Sequence, residues 1–261
     1  MTVRKHSPLR ITLRALLVIT TFTAVFFAWE VRKWHNRKAV AEAVRRNNGL
    51  AHDKAVGPAW LRNLVDDEGA FSQVRSIEFG PGFAGFDPEN PIGDVQLRDA
   101  LSLIPAGTPL EYLGLSHAVV TDRSAPLIAG LEIQHLNLDN ASGITDESLR
   151  RIAEITSLTK LNLEGTSVTD TGLSQLSSLQ KLEEIDLGRT AVGDAGLVHL
   201  SGLLRLRELV LDGTRITDNG LEALRQLDQL RVIAVRGTSV TAEGVTQWRR
   251  SMPRCVIASD H

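Results

Sequence analysis

Apolar residues recur every 24 positions along the C-terminal part of the chain, most clearly at Leu158, Leu182, Leu206 and Leu230. Each of these leucines opens an L-x-x-L-x-L phrase, whose alternating leucines lie on one face of a short predicted strand. A phrase close to (V/I)-T-D-x-G-L-x-x-L follows, and it is exact at residues 168–176 and 216–224. Its apolar spacing changes from two to about 3.6, which predicts a helix. The repeating unit is therefore one strand and one helix.

Four consecutive copies keep this register without an insertion: Leu158–Leu173, Leu182–Leu197, Leu206–Leu221 and Leu230–Val245. Looser copies precede them at Ile133–Leu149 and Leu110–Leu127, and an insertion near 81–91 divides a still earlier strand and helix at 77–79 and 94–97. Because one copy cannot bury its own leucines, the copies must stack. We therefore predict an α/β protein, a right-handed solenoid of about seven repeats over residues 77–257. Its parallel sheet lies on one side and its helices on the other.

The start of each predicted helix carries a recurring polar pair. An aspartate recurs at Asp122, Asp146, Asp170, Asp194 and Asp218. The residue before it is threonine in most copies and glycine at Gly193. Threonine and glycine both serve as helix N-caps, and an aspartate just inside a helix interacts favourably with its positive end. These helix starts account for the aspartates, so we assign them no metal.

These motifs resemble the leucine-rich repeat family, closest to the helical subclass in which L-x-x-L-x-L is followed by I-T-D-x-G-L. The whole layout is similar to bacterial membrane-anchored leucine-rich repeat proteins, through residues 13–17 (LRALL), 57–61 (GPAWL) and 252–255 (MPRC). The resemblance implies a concave sheet, convex helices and protein binding. Many members have cysteine where this chain has threonine, at Thr166, Thr190, Thr214 and Thr238.

The N-terminal segment contains a long uncharged stretch, Ala15–Trp29, which residues 11–13 extend to nineteen positions if Arg14 reaches the interface. Nineteen helical residues span roughly 28 Å, close to the thickness of a bilayer core. A secretory signal peptide would need a small-residue cleavage site, which residues 27–32 do not supply. A buried core helix would need other helices apolar enough to enclose it. We favour a single-pass anchor at 11–29 after a basic tail at 1–10.

Further segments flank the repeats. Residues 30–48 are predicted to form a basic helical stalk, and residues 49–76 an N-terminal cap in which Trp60 and Leu61 cover the open end of the core. At the other end we expect Trp248 and a strand at 255–257 to close the core before a tail at 258–261. The positive-inside rule gives almost a tie for the anchor, because basic residues flank both ends. The side of the membrane on which the repeats lie stays open.

Composition and charge support the division of the chain into an N-terminal segment and a repeat domain. The 261 residues carry a net charge of -2, and a hydrophobic fraction of 43% excludes a disordered chain. Residues 1–46 hold ten Lys and Arg against two Glu, a net of +8, so residues 47–261 carry -10. The single cysteine, Cys255, excludes an intrachain disulfide and a multi-cysteine zinc site. We interpret it as a small buried hydrophobe.

Candidate catalytic motifs are weak. Residues 80–85 match G-x-G-x-x-G, but the Asp87–Pro91 segment continues as a loop, so no helix N-terminus would meet a phosphate. The 80–91 insertion is a possible contact loop. The sequence shows no metal-protease, nucleophile-elbow or P-loop motif. We predict a protein that is not an enzyme, with no cofactor, no metal and no small-molecule substrate.

The outward positions of the predicted strands are the candidate binding surface. They are strongly acidic, which would repel nucleic acid and attract a basic protein or peptide. We therefore predict a membrane-anchored protein that mediates protein–protein interaction through the concave sheet face. The alternative is a structural envelope protein without a specific ligand. The candidate partner-binding residues are Tyr112, His135, Asp139, Lys160, Glu164, Glu184, Asp186, Glu208, Asp212 and Arg236.

Overall fold

The computed structural model of the chain describes residues 41–42, 45–46, 50–55, 72–80, 91–102, 104 and 109–261. The predicted anchor at 11–29, most of the predicted stalk, the predicted cap residues Trp60 and Leu61, and positions 81–90 lie outside these residues. Among the described helices, none has the length and apolar character needed to cross a bilayer.

The described residues form one nine-stranded sheet whose strands follow chain order. Strands β2 to β9 pair in parallel, each with the next. The strands are β1 Leu50–Ala55, β2 Ser72–Glu78, β3 Pro109–Gly114, β4 Glu132–Asn137, β5 Lys160–Asn162, β6 Glu184–Asp186, β7 Glu208–Val210, β8 Val232–Ala234 and β9 Val256–Ala258. This parallel sheet with its helices confirms the predicted α/β solenoid.

Strand β1 was not predicted. It pairs antiparallel with β2, with a register shift between His52 and Asp53. Both β1 and the start of β2 fall in the segment 49–76, where the leucine phrase is absent. An antiparallel strand at this position occupies the hydrogen-bonding edge that β2 would otherwise expose.

Short helices connect the parallel strands. They are α1 Asp94–Leu101, α2 Ala125–Ala129, α3 Asp146–Ile152, α4 Asp170–Leu173, α5 Asp194–Leu197, α6 Asp218–Ala223 and α7 Ala242–Ser251, and 3-10 turns Ser174–Ser178 and Val198–Leu200 continue α4 and α5. The predicted threonine caps are confirmed: the side chains of Thr145, Thr169, Thr217 and Thr241 each accept a hydrogen bond from a first-turn backbone N–H. Neighbouring strands lie about 4.8 Å apart while packed helices need 8–10 Å, which favours a sheet side that curves inward.

One hydrophobic core runs along the described chain from Ile77 to Ile257. The leucines that define the repeat, from Leu158 to Leu230, are fully buried. Trp248 on α7 is also buried and, with Cys255, lies at the far end of this core, as expected for a closing element. Burial raises the pKa of the Cys255 thiol, in keeping with its interpretation as a small hydrophobe.

A threonine recurs after each of the strands β5 to β8 and forms a hydrogen bond to the backbone of its own turn. Thr190 is buried, and its Oγ1 donates to the backbone oxygen of Leu187 at 2.6 Å. Thr166, Thr214 and Thr238 make the same bond three residues back. A buried hydroxyl without a partner would be destabilising, so this local bond allows threonine at the position.

The recurring aspartates tie each repeat to the next one. Thr217 donates its backbone N–H to Asp194 Oδ1 at 2.8 Å and its hydroxyl to Asp194 Oδ2 at 2.6 Å. The same two bonds join Asp94 to Thr121, Asp122 to Thr145, Asp146 to Thr169 and Asp218 to Thr241. We call this series the Asp–Thr ladder. The helix start explains only part of the aspartate's role.

The glycine of the repeated phrase follows from this ladder. A Cβ atom at Gly172, Gly196, Gly220 or Gly244 would collide with the aspartate carboxylate of the preceding repeat. Ser148 takes the equivalent place one repeat earlier, and its hydroxyl donates to Asp122. The phrase T-D-x-G therefore describes a contact between two successive repeats as well as a helix start.

One step of the ladder is incomplete, and this generates a stability prediction. Asp170 accepts only the backbone N–H of Gly193, at 2.7 Å, because glycine has no hydroxyl. Gly193 has an extended backbone, φ -130° and ψ -167°, and a Cβ there would lie 3.5 Å from Asp170 Oδ2. We expect Gly193→Thr to add the missing bond and raise the free energy of unfolding by about 1 kcal/mol, measured by urea denaturation.

The matched control is the same substitution in an Asp170→Ala background. Without the carboxylate, the threonine hydroxyl has no partner in the preceding repeat, and most of the gain should disappear in the double-mutant cycle. An equal gain in both backgrounds would show that Gly193→Thr acts through backbone entropy, and would contradict the proposed ladder energetics.

Candidate functional site

Side chains that point away from the core form the open sheet face. We define it as the outward positions of β2 to β9 together with the next outward position after each strand ends. Strand register aligns these positions in columns. The first column is Tyr112, His135, Lys160, Glu184, Glu208, Val232 and Val256, and the second includes Glu78, Asn137, Asn162, Asp186, Val210 and Ala234. A third column, just beyond the strands, holds Asp139, Glu164, Asp212 and Arg236. Their backbone oxygens accept bonds at equivalent positions.

All ten predicted site residues lie on this face. Tyr112, His135, Lys160, Glu184 and Glu208 occupy the first column, and Asp186 the second. The remaining four form the third column. The structure thus brings them onto one continuous surface, while their role in binding stays a prediction.

Within the residues that the structure describes, three ion pairs of lysine or arginine cross the open sheet face between neighbouring repeats. Lys160 Nζ lies 2.6 Å from Glu184 Oε1, and Arg189 Nη2 lies 2.9 Å from Glu164 Oε1. The third pair, Arg236 to Asp212, is longer at 3.7 Å. Such exposed pairs contribute less than about 1 kcal/mol each. The basic residues therefore offset only part of the acidic charge.

Arg189 occupies an unusual backbone position. Its φ is 54°, in the left-handed region, where the equivalent residues of neighbouring repeats are Gly165 and Gly213. His117 and Asn140 share the same conformation in earlier repeats. A non-glycine residue in this region is uncommon, because its Cβ crowds the backbone. The turn presents the Arg189 side chain to Glu164.

Four carboxylates cluster at the centre of the open sheet face: Asp139, Glu164, Asp186 and Asp212. We call them the acidic cluster. Burial, together with the other three carboxylates, raises the pKa of Asp186 to about 6, although the backbone N–H of Gly188 donates to it at 2.8 Å. Close like charges disfavour the ionised form, so the cluster has a cost for the folded chain.

The N-terminal part of this face is occupied by two aromatic rings. The Tyr112 ring lies over Gly114, where any Cβ would come within 2.7 Å of the tyrosine oxygen. Asn137 donates a side-chain hydrogen bond to that oxygen at 3.4 Å, and burial raises the tyrosine pKa. Next to it, burial and then the charge of Lys160 lower the pKa of His135, which favours the neutral imidazole at pH 7.

The C-terminal part of the face is apolar, which the sequence analysis missed. Val210, Val232, Ala234 and Val256 continue the same columns that carry carboxylates in earlier repeats. Val232 is 37% exposed and Val256 65% exposed. We call these four residues the apolar shelf. The signal was present in residues 232–235 (VIAV), where both faces of the strand are apolar.

The candidate catalytic features receive a structural explanation where the structure describes them. Gly80, the first glycine of the G-x-G-x-x-G match, lies against Ser116. A Cβ atom on Gly80 would be 2.8 Å from the backbone oxygen of Ser116. Over the described part of the chain, no three His, Cys, Asp or Glu side chains are grouped to hold a metal ion. The aspartate row is instead engaged by the Asp–Thr ladder.

Comparison with known proteins places the repeats in a family. A family model described as Leucine Rich repeat matches residues 154–177, 178–201 and 206–224. No curated protein sequence matches the chain. The model matches the part where the 24-residue register has no insertion.

Two solved structures are similar in fold. Internalin C2 from Listeria monocytogenes has a TM-score of 0.50 and 16% sequence identity, and the match covers 85% of this chain and 92% of that one. A chain in the structure of the Rad7 and Elc1 complex from yeast has a TM-score of 0.54 and 21% identity, over 66% of this chain and 45% of the other. Identities this low concern the fold alone. The repeat phrase, the family model and the parallel sheet with its helices together show that residues 154–224 consist of leucine-rich repeats.

Proposed function

We propose that this protein binds another protein through the open sheet face, whose curvature is concave, and that residues 11–29 hold it at a membrane. The observation that carries the binding proposal is the acidic cluster. Leucine-rich repeats form interaction scaffolds in general, and the yeast chain with a similar fold comes from a two-protein complex. One fold can serve many functions, so the chemistry of the surface indicates what this protein binds.

The acidic cluster opposes folding stability. Stacking of the leucines and the Asp–Thr ladder already hold successive repeats together, so the fold does not require carboxylates at Asp186 or Glu164. Burial and then the neighbouring carboxylates raise the pKa of Asp186, so its ionised form destabilises the folded chain. Asp186 accepts the backbone N–H of Gly188, but the neutral Asn162 accepts the equivalent bond one repeat earlier, so this bond does not require a charge. Charges that oppose stability in this way are expected at functional surfaces.

The open sheet face also indicates what kind of partner it fits. Acidic residues at its centre would attract cations and speed association, while the adjoining apolar shelf would bury nonpolar side chains. Asp186 and the apolar shelf lie on neighbouring strands, about 5 Å apart per step. A partner segment with basic residues beside apolar ones would satisfy both parts at once. Nucleic acid phosphates would be repelled.

The first prediction concerns capture of the partner. Glu184→Lys combined with Glu208→Lys reverses two charges in the first column, so we expect at least five-fold less partner to be cross-linked to this variant in cells. The measurement is quantitative mass spectrometry of the proteins captured by the full chain. Asp99→Lys combined with Glu243→Lys makes the same charge change on exposed helix positions and should leave capture unchanged.

The same set of captured proteins in both variants would contradict binding at this face. No reproducible captured protein with the unchanged chain would favour the alternative of a structural envelope protein without a specific ligand.

The second prediction uses pH to test the cost of the acidic cluster. The pKa of Asp186 in the folded chain, about 6, lies above the ordinary aspartate value of 3.8. The folded chain therefore holds a proton that the unfolded chain releases between these values, and stability decreases as pH rises through 6. Asp186→Asn should raise the free energy of unfolding at pH 7.5 by about 1 kcal/mol, allowing for solvent screening, and change it little at pH 4. Urea denaturation at both pH values measures this, and an equal gain at both would refute it.

The third prediction tests the anchor. We expect the full chain to stay with the membrane fraction after extraction at alkaline pH, because a spanning helix is held by its apolar surface. Deleting residues 11–29 should release the protein into the supernatant. A control deletion of residues 1–10 should leave it in the pellet. Release of the full chain by alkaline extraction would overturn the anchor.

A further inference from the structure

A second charged surface lies at the amino ends of β6 to β9. Four loop segments lead into these strands: 178–183, 202–207, 226–231 and 249–255, the last of which begins with the final turn of α7. They stack in register: Arg207 N–H donates to Glu183 O at 2.7 Å, and Arg231 N–H to Arg207 O at 2.8 Å. Seven basic residues lie exposed on them, which we call the basic edge: Lys181, Arg205, Arg207, Arg231, Arg249, Arg250 and Arg254.

The basic edge has a large charge surplus. Its four loops contain only two acidic residues, Glu183 and Asp228, so their net charge is +5 within a segment that carries -10 overall. Arg207 pairs with Glu183 at 3.1 Å, and Arg231 donates to the backbone oxygen of Asp228. Within the described residues, the other five basic side chains make no ion pair. The fold therefore makes little use of them.

The basic edge is electrically separate from the acidic cluster. Arg207 and Asp212 mark the two ends of one strand and lie five residues apart, about 16 Å along an extended chain. This distance exceeds the Debye length of about 8 Å at physiological salt, so each surface acts on its own surroundings. The acidic cluster therefore does not cancel attraction at the basic edge.

An exposed leucine on the basic edge indicates which kind of anionic partner the edge would bind. Leu204 lies at the tip of the second loop beside Arg205 and is 58% exposed. Its loop is tightened by a bond from Leu204 N–H to Gly202 O at 3.0 Å. Arginine or lysine with an apolar side chain between them suits a bilayer interface, where cations meet headgroups and the apolar group enters the acyl boundary. A nucleic acid backbone offers no such place for a leucine.

We propose that the basic edge is a peripheral docking surface for a bilayer that contains anionic phospholipids. It holds the amino ends of β6 to β9 against the headgroups. The acidic carboxyl ends then point away from the membrane, and the open sheet face stays free for a protein. The proposal goes beyond the binding function and does not require the anchor, because each surface can fail independently.

A fluorescence experiment on the full chain tests this docking. Gln229, exposed on the third loop, is replaced by cysteine in a Cys255→Ala background and labelled with an environment-sensitive fluorophore. We expect a blue shift with vesicles of phosphatidylglycerol and phosphatidylcholine, and little shift with phosphatidylcholine alone or in 0.5 M salt. The same label at Glu243, in the first turn of α7 and away from the basic edge, should stay unshifted in every case.

Charge variants make the test specific. Each basic residue near an anionic surface strengthens binding about five-fold, so Lys181→Gln, Arg205→Gln and Arg254→Gln together should weaken the docking equilibrium about a hundred-fold and abolish the blue shift at Gln229. The three side chains make no ion pair among the described residues, so folding should be unaffected. The control removes three exposed cations elsewhere, with Arg98→Gln, Arg123→Gln and Arg215→Gln, and should leave the shift unchanged.

Several outcomes overturn the proposal. One is the absence of a shift at Gln229 with anionic vesicles, and another is an equal shift with neutral vesicles. A third is tighter binding of a DNA duplex than of anionic vesicles at the same salt, which would assign the basic edge to nucleic acid. If the anchor inserts but the basic edge does not dock, the protein pellets with both vesicle types and the labels at Gln229 and Glu243 behave alike. This result distinguishes failure of the docking proposal from failure of the anchor.

Discussion

The constraint on which this structure depends is that one strand and one short helix cannot bury their own leucines. Leu182 or Leu206 becomes fully buried only when a repeat covers it on each side. Stacking is therefore obligatory, and the two ends need special elements. Strand β1 covers one hydrogen-bonding edge of the sheet, and α7 with its buried Trp248 closes the other end of the core.

Stacking in register has a second consequence, because it repeats the same polar contact at every step. The carboxylate of Asp194 meets the backbone and hydroxyl of Thr217, and the space it occupies excludes a side chain at Gly220. The threonine, the aspartate and the glycine of the repeated phrase are thus explained by one contact between neighbouring repeats. Since these contacts and the leucines hold the repeats together, the outward strand positions and the loop tips are free to vary in charge.

That freedom separates the domain into surfaces with different chemistry. Carboxylates gather near Asp186 at the centre of the open sheet face, valines continue the same columns towards Val256, and cations gather at the amino ends of the last strands. Residues 24 positions apart in the sequence lie side by side on neighbouring strands, so they form one continuous surface patch. A protein partner at the acidic cluster and a bilayer at the basic edge would not compete for the same surface.

Much of the fold was predictable from the sequence, because it depends on local preferences that recur. The alternating leucines determine which face of each strand is buried, and Thr145 or Thr169 caps its helix through its own side chain. The outward position of Lys160 and Glu184 followed from the same alternation. The acidic surface and the single buried cysteine were also visible in the sequence.

Only the tertiary structure decided which of these residues meet. The partner of Asp194 lies 23 residues away, and the exact step between repeats places its two oxygens within hydrogen-bonding distance of Thr217. The pairing of β1 has no periodic signal, since it occurs once. The raised pKa of Asp186 depends on burial and on carboxylates from three other repeats. The sequence by itself thus determined the repeating unit and its buried face, while contacts across repeats required the stacked structure, because they depend on distances that no single repeat contains.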